Sequence, residues 1–105
     1  MGLISIAAFR PKHGMHTELV GLIDERIPLL RGLGLITDRA PITCRSADGV
    51  IVSISEWVSD EAIAEAHAIP EVLELWGRFA DCCNWITLDS VPECSEDFAT
   101  FEAIN

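Results

Sequence analysis

The chain has no tyrosine, which removes one frequent proton donor from any site it builds. It also lacks G-x-S-x-G, H-E-x-x-H, a P-loop and G-x-G-x-x-G. The corresponding hydrolase, zinc-peptidase and nucleotide-binding chemistries are therefore not expected. Basic residues are scarce in the second half. From Glu56 onward Arg78 stands alone against twelve carboxylates, and the formal net charge is −10. Such a surface repels a phosphate backbone, so nucleic acid is not expected as a partner. The acidic residues read as a solvated face that keeps an apolar domain in solution. No run approaches the roughly 18 apolar residues of a membrane span, and no signal-peptide pattern opens the chain. A cytoplasmic protein with no membrane partner is the expectation. The four cysteines, Cys44, Cys82, Cys83 and Cys94, show no C-x-x-C spacing. They read as reduced thiols used as small hydrophobes.

What is present is apolar. Half of the 105 residues are hydrophobic and the mean hydropathy is +0.31, rich for one small domain. With no repeat or linker, residues 1–105 read as a single domain, with a core over about 3–90 and an acidic tail over 91–105. The apolar excess implies a subunit contact, hence a homodimer.

The run from Leu3 to Arg10 reads as a buried strand ended by Pro11. From Met15 to about Gly32, Leu19, Leu22, Ile23, Ile27 and Leu30 follow helical spacing, with Pro28 inside the helix and Gly32-Leu33-Gly34 ending it. Leu35 to Ser46 and Val50 to Val58 read as a hairpin about Asp48-Gly49. Ser59 is placed to N-cap a second helix, with Asp60 and Glu61 in its first turn, and Pro70 restarts that helix. Val72, Trp76, Phe79 and Cys83 then share a face, and Trp85 to Ser90 reads as a fourth strand. In the tail, Phe98 and Phe101 stand three apart.

This order predicts an α+β fold, the ferredoxin-like β-α-β-β-α-β sandwich. Its first and third strands are expected as parallel neighbours at the sheet centre. Both helices should cover one face, leaving Val50, Val52 and Ile54 bare on the other for a second copy of the chain. On the helix side, Ser53 and Ser55 of the third strand and the small Ser5, Ala7 and Ala8 of the first leave room for a cavity. Trp57, Trp76 and Phe79 would wall it. The alternative is a core filled by its own tryptophans.

Of the three histidines, His67 lies one turn after Ile63 and can face that cavity. His13 and His16 form an H-x-x-H without an evident third strong ligand, so no metal is expected. Arg39 and Arg45 on the second strand are candidates for binding an acidic or phenolate ligand, or simply solvated edge residues.

Glu56-Trp57-Val58-Ser59-Asp60-Glu61-Ala62-Ile63, followed by Ala66-His67 and Pro70, resembles a stretch of the antibiotic biosynthesis monooxygenase-like family, within the dimeric α+β barrel superfamily. Lys12-His13-Gly14, and Leu29-Leu30-Arg31 with a glycine before the second strand, look similar too. The resemblance spans roughly residues 3–90 and implies a homodimer with facing sheets and one pocket per subunit. Some members oxidise aromatic polyketides with O₂ and no metal or flavin. That would make the chain an oxidoreductase without cofactor, His67 its base, Trp57 and Trp76 the walls, and Arg39 or Arg45 the oxyanion holder. A non-catalytic small-molecule-binding homodimer is the alternative. A related branch degrades haem with an asparagine, a tryptophan and a histidine. Here Trp57 matches the tryptophan, but Ala7 and Trp76 stand at the other two positions, so haem breakdown is not expected.

Overall fold

The computed structural model describes residues 2–105. Strand β1 (Leu3–Pro11) leads through a turn at Gly14 (φ +74°) into helix α1 (His16–Gly32). Strands β2 (Ile42–Arg45) and β3 (Ile51–Trp57) form the hairpin, turned at Gly49 with φ +93°, a conformation that costs glycine little. Helices α2 (Asp60–Ala66) and α3 (Pro70–Cys82) follow, then β4 (Cys83–Ile86), two short 3₁₀ turns, and β5 (Glu102–Ala103). The result is an α+β fold with a sheet in the order β4-β1-β3-β2-β5.

All four pairings in this sheet are antiparallel, which overturns the expected parallel pairing of the first and third strands. The reason is the hairpin. α1 carries the chain back so that β2 runs in the same sense as β1, and the Asp48-Gly49 turn reverses it once more before β3 enters between them. β2 is also much shorter than the Leu35 to Ser46 run. Pro41 lacks the N–H that the ladder needs. A bend at Asp38-Arg39, with the Thr37 hydroxyl accepting from the Arg39 N–H at 3.1 Å, leaves only an isolated bridge between Ile36 and Trp57. α1 ends with Gly34 at φ +75°, so Gly34, not Gly32, supplies the left-handed residue. The fourth strand begins and ends earlier than expected. α3 stops at Cys82, Cys83 is already extended (φ −154°, ψ 170°), and the chain turns at Leu88–Ser90.

Alternation along the strands divides the sheet. Phe9 and Ile51 face α1 and α3, packing with Leu19, Leu22, Ile23, Leu75, Phe79, Cys82 and Cys83. Trp57 faces the same side, in a second cluster with Leu30, Ala62, Ala66 and Val72. The opposite, outer face carries Ile4, Ile6 and Ala8 of β1, Val52 and Ile54 of β3, and Ile42 and Cys44 of β2.

This outer face is not bare throughout, as Val50, Val52 and Ile54 had suggested. Val50 and Val52 are buried within the chain, in a cluster with Ala8, Cys44 and Val91, against which Leu88 and Phe101 pack. Val91 therefore belongs to the core, and Phe101 packs against it from the largely exposed segment after residue 90. Its last residues pair with β2: Thr43 and Asn105 exchange backbone bonds of 3.0 and 3.1 Å. The part left open is a cross-strand row, Ile6-Ile54-Ile42, with Ile4 beside it. Ile6 and Ile42 are 48% and 51% exposed. No helix among the described residues is long and apolar enough to cross a membrane.

Candidate functional site

Between the helix face of the sheet and the helices lies a cavity of about 290 Å³, lined by Ala7, Phe9, Arg26, His67, Trp76, Phe79 and Trp85. That volume is near the lower end for small-molecule sites, roughly 300–1,000 Å³. Ala7 forms part of the floor, where a larger side chain would fill the space. Phe9 and Phe79 stack with centroids 5.3 Å apart, and Trp85 leans on both at 6.2 and 6.1 Å. Trp85 is 49% exposed and forms the rim toward solvent.

His67 is placed by two sequence features. The Ser59 hydroxyl accepts from the Ala62 N–H at 3.1 Å and fixes the start of α2. Pro70, at the first position of α3, enforces the break that leaves His67 as the C-cap of α2. The His67 ring meets Trp76 edge-on at 5.0 Å. Its Nδ1 lies 2.9 Å from the Ile63 carbonyl oxygen. A carbonyl can only accept, so in the neutral ring Nδ1 carries the proton and Nε2 keeps the lone pair.

Arg26 is the residue that the sequence reading passed over. It lies on the apolar stripe of α1, four residues after Leu22, three after Ile23 and four before Leu30, all buried. A guanidinium at such a position is the signal that could have found it. Arg26 is only 7% exposed, and its Nη1 has no hydrogen-bond partner among the described residues. Its Cζ stands 6.0 Å from the centroid of Trp57, at the outer limit of a cation–π contact. Burial pulls its pKa below the usual arginine value.

The other expected site residues fall in different places. Trp76 and Phe79 line the cavity with His67. Trp57 does not; it is buried behind Arg26 and serves as its backing. Ser53 and Ser55 share the helix face, Ser53 directly opposite Ala7, with buried hydroxyls that lack partners, yet neither lines the cavity. Arg39 and Arg45 are outside it as well. The Arg39 Nε donates to Glu56 at 3.1 Å, and Arg45 pairs with Glu102 and approaches His16 Nε2 at 3.3 Å. Both had carboxylates within reach, and those ion pairs engage them away from the cavity. No three metal-ligating side chains converge among the described residues. Cys44, Cys82 and Cys83 are buried, and burial, with Cys82 alongside, pushes the Cys83 thiol up to about 12. Cys94 is exposed.

Comparison of the chain with protein-family models, with curated proteins and with solved structures finds no match.

Proposed function

We propose that the protein is a homodimeric, cofactor-independent monooxygenase that binds a small aromatic compound in the cavity of each subunit. The observation that carries this reading is an aromatic cavity holding one imidazole whose Nδ1 is committed to a backbone carbonyl, leaving Nε2 as a base. Nε2 would take a proton from an acidic C–H or O–H of the substrate. The resulting enolate or phenolate gives an electron to O₂, and recombination forms a C–O bond as a hydroperoxide. Loss of water then leaves a carbonyl, so that CH₂ and O₂ become C=O and H₂O. The chain's own part is to bind the ring between Phe9, Phe79, Trp76 and Trp85, exclude water and move the proton.

The strand order β4-β1-β3-β2 supports reading the fold as ferredoxin-like, with β5 added at the edge. The isoleucine row on the outer face supports the dimer. An apolar strip of this kind is covered by a second sheet related by a two-fold axis.

Substrate-dependent O₂ uptake, screened over polyphenols and anthrone-like compounds, tests the activity. His67→Ala should lower turnover by about 10²-fold or more, with little change in melting temperature. Ligand binding without O₂ uptake for any compound would instead make the protein a binding module of the same fold. Its feature in favour is the aromatic majority of the lining, Phe9, Trp76, Phe79 and Trp85.

A further inference from the structure

Arginines in this chain are otherwise paired. Arg10, Arg31, Arg39, Arg45 and Arg78 each have a carboxylate within 4.0 Å: Asp48, Asp38, Glu56, Glu102 and Glu25. Arg26 is the sixth and the most deeply buried. Among the described residues it forms no ion pair, although the sequence offers 17 acidic side chains. A guanidinium is too basic to shed its proton there. A buried, uncompensated charge destabilises the fold that holds it, and the charge is met when an anion arrives. The cavity that Arg26 lines supplies the place.

We propose that the cavity selects aromatic compounds that carry an oxygen anion in the site, a ring-bound carboxylate or a phenol or enol ionised there, and that Arg26 is the residue that receives this oxygen. This rests on the reading of the cavity as the ligand site, but not on the oxidation chemistry. The planar fork of the guanidinium presents parallel N–H donors to such a group, and charge-assisted bonds are the stronger kind. Trp57, whose ring centroid lies 6.0 Å from the Arg26 Cζ, acts as a positioning residue. The aromatic trio Phe9, Phe79 and Trp85 takes the ring. A cavity of about 290 Å³ suits a small fused-ring compound.

The test uses 2-naphthoate against 2-naphthamide, which are nearly equal in shape and differ in charge, followed by tryptophan fluorescence and calorimetry. Naphthoate should bind roughly 10- to 100-fold more tightly, and the preference should vanish in Arg26→Met. That variant should melt no lower than wild type without ligand, because it removes an unpaired buried charge. Arg26→Lys, which keeps the charge and loses the fork, should retain a reduced preference. 4-Nitrophenol separates the two anion sources. If phenolates are accepted, its absorbance in the site should show ionisation at a lower pH than in buffer, and Arg26→Met should abolish that shift. Equal affinity of the wild type for naphthoate and naphthamide would overturn the proposal while leaving the cavity a ligand site. Binding of neither probe would overturn both. The wild-type comparison decides even if a variant fails to fold.

Discussion

On the helix face of the sheet, Ala7 is too small to fill the space beneath the helices, and the charged Arg26 projects into an apolar layer without a partner. On the outer face every central residue is apolar, and one half is sealed by Val91, Leu88 and Phe101 while the other half is open. The same strands thus carry a face left underfilled inside the subunit and a face left uncovered outside it. Small residues under a roof make a pocket. Large residues without a roof leave an apolar strip open, as Ile6, Ile54 and Ile42 do.

The sharpest way to break this comparison is a carboxylate at Val52, which is 2% exposed beneath the final segment. Val52→Glu should unfold the subunit, at a cost of about 4 kcal/mol or more, read as loss of a cooperative circular-dichroism melt. Ile6→Glu places the same charge two residues from Ala8, which pairs with Val52, but in the open row. It should dissociate the proposed dimer and leave the subunit folded, seen as a halved mass in light scattering at micromolar concentration. A wild-type monomer under those conditions would remove the interface reading. On the helix face, Ser59→Ala deletes the cap of α2 and should cost about 1 kcal/mol. It should also loosen His67, which NMR line widths of the ring would report.

The smallest effect concerns Glu56, at the margin of the outer face. Hydrogen bonds from Thr37 and then Arg39 hold its carboxyl below the ordinary carboxylate range. A pKa depressed on folding stabilises above the unfolded-state value, and that contribution is lost as pH falls through the folded one. Glu56→Gln should therefore flatten the acid limb of a melting-temperature profile and leave the neutral region nearly unchanged.

Local signals in the sequence transferred well where one residue determines the backbone. Gly49 in the hairpin, Ser59 as cap and Pro70 as restart each act through their own geometry. Signals that depend on distant partners did not. The direction of β3 follows from the path of the whole chain. The acidic stretch after Val91 gives no alternation that would mark its packing on β2 and β3, since only Val91, Phe101 and Ile104 engage the cores. Phe98, three residues from Phe101, is exposed. His67, Trp76 and Phe79 were legible as cavity residues because helical spacing aligned them. Arg39 and Arg45 misled because strand position says nothing of the nearby carboxylate. Arg26 was readable in principle, as a break in the apolar stripe of α1.

The sealing segment also has a consequence in time. Val52 leaves the ribosome about 39 residues ahead of Val91, the residue that covers its side of the sheet. At roughly 5–20 residues per second, translation leaves that half of the sheet unroofed for about 2–8 s in every molecule made. During that interval the nascent chain presents Val50, Val52, Cys44 and the isoleucine row as one continuous apolar strand surface, of which the finished subunit leaves only the isoleucine row open. A chaperone that recognises extended apolar segments would meet the chain there, and expression at lower temperature, which lengthens the interval, would test how much the cell relies on it.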